Sequence, residues 1–176
     1  MISTMTSLTT ISVAEYLATS YRPDCEYVDG EVRERHVGKR EHARTQALLT
    51  IWFGQHEAVW SVLVLTEQRV QVAAHRVRIP DVLLTSTDPQ PEVLVTPPLL
   101  VIEILSPEDT YLDTQERAWD YLAMGVEMVW VIDPRSRTGR MCKGDVWQEA
   151  RTLRVPGSPI YVDLDELFLH MDEVRG

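Results

Sequence analysis

The stretches Arg78-Ile-Pro-Asp81 and Leu100-Val-Ile-Glu103-Ile-Leu-Ser-Pro107 each set one acidic residue against an apolar, β-branched run. Such runs are typical of strands that are buried in a sheet. A carboxylate on a buried strand is costly unless a cation or hydrogen bonds compensate its charge. Two acids of this kind on neighbouring strands therefore predict a compensating cation, and a divalent metal is the simplest candidate.

The segments before and between these acids predict a mixed α/β fold. A short helix is expected over residues 10–20, with Ser12 as its N-cap, and a hairpin should turn at Asp29-Gly30. Apolar residues at helical spacing predict a helix over residues 39–58. Strand-like runs follow at 60–66, 69–74 and 79–85, and four prolines mark residues 87–98 as a loop.

The segment after Leu105 predicts a strand–helix–strand unit. Ser106-Pro-Glu-Asp109 is typical of a helix start, with Ser106 as the N-cap and Pro107 at the first helical position. We expect this helix to end at Gly125 and a buried strand to follow over residues 128–133. The two strands of such a unit are parallel. A hairpin within residues 140–153 and a helical turn at 164–169 complete the predicted fold.

Length and composition limit the function classes. The 176 residues suffice for a single domain, 1–176, with its own core. No apolar run approaches the roughly twenty residues of a membrane span, and the N-terminus lacks a signal-peptide pattern. Two distant cysteines favour a cytoplasmic protein, and the scattered histidines argue against a zinc site.

The net charge of −10 is unusual for a protein that binds nucleic acid electrostatically. The basic residues are nevertheless grouped, between residues 33 and 44 and again between residues 69 and 78. A basic cleft in an acidic protein is therefore compatible with the sequence, and nucleic acid stays among the possible partners.

Taken in order, these motifs resemble the Uma-type putative restriction endonucleases of the PD-(D/E)XK nuclease-like superfamily. The resemblance covers about residues 11–170. The motifs that carry it are Glu26-Tyr-Val-Asp-Gly-Glu31, the helix with His42, Pro80-Asp81, Glu103-Ile-Leu-Ser-Pro107, the helix with Arg117 and Tyr121, Gly125-Val126, and Trp130-Val-Ile-Asp-Pro134. It implies a restriction endonuclease-like mixed β-sheet core flanked by helices, with an N-terminal helix and hairpin.

The resemblance also implies an activity: Mg²⁺-dependent hydrolysis of DNA phosphodiester bonds, with Mn²⁺ as a substitute. Asp81 and Glu103 would be the metal ligands, and Glu26 or Glu41 would supply a further acid; His42 and Tyr121 are additional candidates. Such a metal lowers the pKa of a bound water and neutralises developing charge. A homodimer would suit an enzyme that cuts two strands, and the edge of a small sheet invites pairing.

The sequence departs from the superfamily at its lysine. The strand motif would place a lysine two residues after Glu103, where Leu105 stands, and the lysine that relatives carry on the next helix is Arg117 here. Arginine stays protonated and cannot act as a general base, but it can clamp a phosphate through two hydrogen bonds. The proton acceptor would then be a carboxylate, a substrate phosphate or hydroxide on the metal.

Structural interpretations of the same residues stay open. Glu103 and Arg117 can form a buried ion pair, or Arg117 can pair with Asp113 on the helix surface. A helical wheel places Arg117 and Tyr121 opposite Leu112 and Trp119, which predicts that the apolar face is the buried one. His42 can be a packing residue. Trp119, Trp130 and Trp147 are expected in the core or an interface.

Two other functions are compatible with the sequence. A catalytically degenerate protein of the nuclease fold would act as a dimeric nucleic-acid-binding or interaction module, and both Arg117 and the acidic net charge favour it. A metal-dependent hydrolase of RNA or of a small phosphoester would share the site but not the groove.

Overall fold

A computed structural model describes residues 10–36 and 38–173 of the chain. Its helices are α1 (Val13–Leu17), α2 (Arg40–Trp60), α3 (Tyr111–Met124) and α4 (Leu164–Asp172). Its strands are β1 (Cys25–Val28), β2 (Glu31–Glu34), β3 (Val62–Thr66), β4 (Val70–Ala73), β5 (Arg76–Arg78), β6 (Val82–Ser86), β7 (Leu100–Ile104), β8 (Val129–Asp133), β9 (Thr138–Lys143), β10 (Val146–Glu149), β11 (Thr152–Arg154) and β12 (Tyr161–Asp163).

The strands form three sheets. The largest has six strands in the order β10-β9-β8-β7-β6-β3, and a second has four in the order β2-β1-β5-β4. Strands β11 and β12 form a two-stranded sheet. Strands β7 and β8 are parallel and are connected through α3, while the other neighbours in the large sheet are antiparallel. The predicted mixed sheet, crossover helix and N-terminal helix and hairpin are confirmed.

Helices cover both faces of the six-stranded sheet. Phe53 of α2 and Phe168 of α4 pack against Ile102 and Trp130 on one face. Ala118 of α3 packs on the other face, in the cluster that includes Val101 and Val131. Strand β7 is buried at all five positions, as predicted for a central strand. Because strand side chains alternate between faces, Glu103 points to the same face as Val101, towards α3.

Two local predictions near the N-terminus are confirmed. The side chain of Ser12 accepts a hydrogen bond from the Glu15 N–H and caps α1. Asp29 and Gly30, with φ angles of 51° and 97°, connect β1 and β2. A two-residue hairpin turn with positive φ at both positions matches the twist of the strands, and Asp-Gly adopts it readily.

The predicted start of α3 at Ser106 is wrong. The helix begins after Thr110, whose side chain accepts the Asp113 N–H while Asp113 accepts the Thr110 N–H. This reciprocal capping box satisfies two free donors at once. The residues before it form a separate turn, in which the Asp109 carboxylate accepts the Ser106 N–H at 2.7 Å.

The predicted strand over residues 79–85 is also corrected. Strand β5 belongs to the four-stranded sheet and β6 to the six-stranded sheet, so Ile79-Pro80-Asp81 is the connection between two sheets. Pro80 has no N–H to donate to a ladder, which favours a break at this point. Asp81 therefore directly precedes β6.

The buried face of α3 differs from the predicted one. Thr114, Ala118 and Tyr121 are buried, whereas Leu112 is 73% exposed and Trp119 is 50% exposed. The helix turns its more polar face to the sheet. Trp130 is fully buried in the core, as expected.

The C-terminal helix α4 runs to Asp172, beyond the predicted turn at 164–169. In the part of the chain that the structure describes, no helix has both the length and the apolar character for crossing a bilayer.

The outer edge of β3 is partly closed by a side chain. Val64 donates its backbone N–H to the Glu57 carboxylate of α2 at 2.8 Å. The edge strand thus has one of its free donors satisfied from within the chain.

Candidate functional site

Asp81 and Glu103 lie side by side on two neighbouring inner segments of the large sheet, Asp81 directly before β6 and Glu103 near the end of β7. Val82 of β6 pairs with Ile102 of β7, which brings the residues next to them, Asp81 and Glu103, to facing positions. The backbone N–H of Ile104 donates to Asp81 Oδ2 at 2.7 Å and fixes the carboxylate against β7. Both acids are buried, with 3% of each residue exposed. The structure brings together the two acids that the sequence singled out.

The Asp81 carboxylate is held by two side chains from the N-terminal half. Arg35 Nη2 donates to Oδ1 at 2.9 Å, and His42 Nε2 lies 3.3 Å from the same oxygen. Burial lowers the pKa of His42, but the hydrogen bond and the charge of Asp81 outweigh it and raise that pKa above its ordinary value. Gln46 of α2 donates to the Asp81 carbonyl oxygen at 2.9 Å. Helix α2 therefore positions both His42 and the backbone of Asp81.

The Glu103 carboxylate has both oxygens bound by α3. Arg117 Nε donates to Oε2 at 2.9 Å, and the Tyr121 hydroxyl donates to Oε1 at 2.9 Å. Burial raises the pKa of Glu103 to about 7 against the lowering effect of Arg117. Burial also raises the pKa of Tyr121 well above its ordinary value, so its hydroxyl stays a donor. Glu103 can thus exchange a proton near neutral pH.

Arg117 is held between two acids. Its Nη2 donates to Asp109 Oδ1 at 3.0 Å while its Nε donates to Glu103. Burial disfavours the charged guanidinium, but Glu103 and Asp109 outweigh it and raise the pKa of Arg117. The alternative ion pair between Arg117 and Asp113, four residues apart on the helix, does not form, because Asp113 caps the helix through Thr110.

Glu26 borders the two acids but is committed to another contact. Its carboxylate accepts from Arg78 Nη1 at 2.7 Å and from the Ile79 N–H at 3.2 Å. Arg78 Nε also donates to Asp120 of α3 at 2.7 Å. This buried triad joins the N-terminal hairpin to α3. The structure does not bring Glu41 to Asp81 and Glu103; it lines a separate depression.

The site lies in a cleft of about 130 Å³ that is lined by both acids and cations. Its charged and histidine lining residues are Glu26, Arg33, Glu34, Arg35, His36, His42, Arg78, Asp81, Glu103, Asp109, Asp113, Glu116 and Arg117.

Sequence reasoning did not assign a role to Arg35, Arg78 or Asp109. Arg78 carried a usable signal, because a cation next to a buried strand is as costly as an acid. Nothing local marks Arg35, whose ion pair spans 46 residues.

Comparison with known proteins identifies the family. Residues 13–167 match the model of the Uma2 family, which is described as putative restriction endonuclease. The chain belongs to the Uma2 family. The expectation from the sequence motifs is thereby confirmed, with nearly the same boundaries.

The Uma2 fold is also seen in a solved structure. The chain is similar to a putative nuclease belonging to DUF820 from Anabaena variabilis ATCC 29413, with a TM-score of 0.80 and 19% sequence identity. The match covers 90% of this chain and 98% of the other. At this identity the likeness shows a shared fold, the restriction endonuclease-like fold expected for the Uma2 family. None of the curated proteins compared with the chain matches it.

Asp81 and Glu103 are the two facing carboxylates of the cleft that could contribute to a metal site. Among residues 10–36 and 38–173, no three or more His, Cys, Asp and Glu side chains form a group that could hold a metal. Mg²⁺ is commonly bound by one or two carboxylates and takes its other ligands from water and phosphate. Asp81 and Glu103 in an open cleft fit that pattern.

Proposed function

We propose that the protein is a Mg²⁺-dependent endonuclease that hydrolyses DNA phosphodiester bonds. The observation that supports this most is the facing pair of buried carboxylates, Asp81 and Glu103, in a cleft that also holds arginine side chains. Hydrolysis of a phosphodiester needs negative ligands for a cation and positive groups for the phosphate, and this cleft supplies both.

Each residue has a proposed part. Asp81 and Glu103 would hold the ion, which when bound activates water and neutralises developing charge. Arg117 and Tyr121 favour one orientation of the Glu103 carboxylate, and Arg117 favours its ionised form. His42 lies against Asp81 and is proposed to carry a proton, because an ordinary imidazole titrates near neutral pH and Asp81 raises the pKa of this ring. Glu26 would position α3 through Arg78, without contact to the ion.

A DNA substrate is supported by cations around the mouth of the cleft. Arg33 and His36 line the cleft itself, and Lys39, Arg40 and Arg135 line the depression that adjoins His42. Several of these cations pair with acids, Arg33 with Glu31 and Glu116 and Lys39 with Glu108, so a phosphate backbone would compete with those acids for them. Binding through phosphates weakens steeply with salt, because counterions are released. We therefore expect DNA binding to fall between 50 and roughly 200 mM salt.

The test is cleavage of supercoiled plasmid with Mg²⁺, Mn²⁺ or EDTA. We expect nicking with either metal ion, none with EDTA, and a loss of at least a hundredfold in Asp81→Asn and in Glu103→Gln, about the loss that follows removal of a strong transition-state contact. Asp165→Asn, an exposed acid on α4, is the matched control and should retain wild-type activity. Nicking that persists in the Asp81→Asn/Glu103→Gln double variant contradicts the proposal.

A binding module without catalysis is the second candidate. It is favoured by the arginine at position 117, which cannot accept a proton and is already engaged by Glu103 and Asp109. Arg117→Lys separates the two candidates: nicking by the wild-type protein supports the endonuclease, and nicking by the lysine variant alone supports a degenerate protein.

Substrate class and assembly are separate questions. Competition of labelled duplex DNA with unlabelled duplex, single strands and RNA would distinguish a DNA enzyme from a hydrolase of RNA or small phosphoesters.

The expected homodimer stays a proposal, and light scattering coupled to gel filtration tests it: a mass near twice the 20.2 kDa of the chain supports the dimer.

A further inference from the structure

We propose that Arg35, rather than Arg117, binds the substrate phosphate, and that a metal ion at Asp81 displaces Arg35 so that it can do so. This inference rests on the proposed function and adds to it the residue that contacts the scissile group. Three observations carry it: the contacts of Arg117, the contacts of Arg35, and the charge balance at Asp81.

The first observation is that Arg117 is occupied. Its Nε and Nη2 contact two different acids at 2.9 and 3.0 Å. It lies on α3, which Arg78 and Asp120 bind to the rest of the protein. Releasing Arg117 to a phosphate would leave the Asp109 carboxylate, whose side chain is 6% exposed, without its cation, and the proposed ion at Asp81 and Glu103 would not replace that contact. Because an uncompensated buried charge is strongly disfavoured, this release is unfavourable.

The second observation is that Arg35 is available. In the described chain, its ion pair is a single contact from Nη2 to Asp81 Oδ1, at 2.9 Å. Arg35 lies in the connection between β2 and α2, not on a packed helix. It lines the cleft and also a second depression, and Asp81 lines both as well, so space adjoins its side chain. Its guanidinium is therefore better placed than that of Arg117 to turn from Asp81 to a phosphate in the cleft.

The third observation is the charge balance at Asp81. Asp81 Oδ1 receives both Arg35 and His42, and a divalent ion bound to Asp81 would supply the charge that Arg35 supplies now. The ion and the guanidinium repel each other, whereas the guanidinium and a phosphate attract. The planar fork of arginine matches two phosphate oxygens, as lysine does not. Arg35 thus keeps Asp81 compensated without metal and becomes a phosphate ligand when metal binds.

The experiment measures two affinities that this exchange drives in opposite directions. Mn²⁺ binding is measured by isothermal titration, and binding of a fluorescein-labelled 20-base-pair duplex by anisotropy, with Ca²⁺ present to replace the catalytic ion. The variants are Arg35→Gln and Arg35→Lys, and Arg140→Gln serves as the control because it removes the same charge from β9, away from the cleft. Thermal unfolding checks that each variant is folded.

We expect Arg35→Gln to bind Mn²⁺ at least threefold more tightly than the wild type and the duplex about tenfold more weakly, the loss of one charge-assisted contact. Arg35→Lys should lie between the two proteins in both affinities, and Arg140→Gln should match the wild type. A purely structural Arg35 would instead lower both affinities together.

Several results would overturn the inference. Weaker Mn²⁺ binding in a folded Arg35→Gln, or wild-type affinity for both ligands, excludes the exchange. A duplex affinity that falls in Arg117→Gln but not in Arg35→Gln assigns the phosphate to Arg117. If the wild-type protein binds neither Mn²⁺ nor the duplex, the proposed function itself is refuted. If the wild-type protein binds both and Arg35→Gln binds both with the same affinities, only the inference about Arg35 is refuted.

Discussion

Arg117→Met tests most directly whether the folded protein holds Glu103 as an ion pair. Methionine keeps an unbranched apolar side chain but removes the guanidinium that contacts Glu103 at 2.9 Å and Asp109 at 3.0 Å. Removing one partner of a buried pair costs about 3–5 kcal/mol. Because only 4% of the Glu103 side chain is exposed, water cannot replace the lost cation. We therefore expect the free energy of unfolding to fall by an amount in this range at pH 8.5.

The cost should depend on pH. Burial raises the pKa of Glu103 to about 7, so at pH 6 the carboxyl is largely protonated and has no charge to be compensated. The loss at pH 6 should therefore be smaller than at pH 8.5, because only the lost contact to Asp109 then leaves a charge uncompensated. The difference between the two pH values is the part of the cost that belongs to the ionised carboxylate.

Urea unfolding followed by tryptophan fluorescence, in EDTA, measures the free energy of unfolding. The same substitution in a Glu103→Gln background is the control, since glutamine has the same shape and no charge. There the cost of Arg117→Met should be equal at pH 6 and pH 8.5. An equal cost at both pH values in the wild-type background, or an undiminished pH dependence in the glutamine background, would refute the reasoning.

Three further outcomes follow from the same contacts. Tyr121→Phe removes the hydroxyl that donates to Glu103 and should cost about 1–3 kcal/mol in urea unfolding; an unchanged midpoint would mean that this hydrogen bond is not formed. Glu103→Gln should change the pH dependence of stability, because the stability that comes from the raised pKa of Glu103 is fully present below pH 4.5 and is lost as the pH rises through about 7. Relative to wild type, the variant should gain about 3 kcal/mol between pH 4.5 and pH 8 in urea titrations, and a constant difference would count against a raised pKa. Thr110→Ala should lower stability by about 1 kcal/mol, measured by calorimetry, whereas Thr110→Ser should retain the cap; equal losses in both would show that α3 starts elsewhere.

Much of the fold could be predicted because its signals are local. The hairpin turns at Asp29-Gly30, where the backbone demands positive φ, and Gly125 ends α3 for the same reason. The apolar run around Glu103 predicted a strand buried on both faces, and the adjacent unit predicted its parallel partner. The proximity of Asp81 and Glu103 was predicted from two acids beside apolar runs, although Asp81 lies in the connection before β6 and not on the strand itself.

The errors arose where a distant contact decides between local alternatives. Ser106 and Thr110 are both good helix caps, and the choice depends on Asp109, which turns back to bind Arg117 rather than serving the first turn of a helix. The buried face of α3 was predicted from its apolar residues, yet the sheet beneath presents the carboxylate of Glu103. The face of α3 that can donate hydrogen bonds to Glu103 is therefore the buried one. A helical wheel shows only the residues of the helix and not the sheet against which it packs.

Glu57 gives the six-stranded sheet two chemically different ends. An outer strand is a template on which a foreign or partly unfolded chain can add itself through backbone pairing. At β3 the Val64 N–H is already bound to a carboxylate, so an added strand would have to break that hydrogen bond and bury the displaced charge. Strand addition at β3 is therefore less favourable than at an edge whose N–H groups are free. The Glu57 carboxylate thus protects this edge against aggregation through backbone pairing.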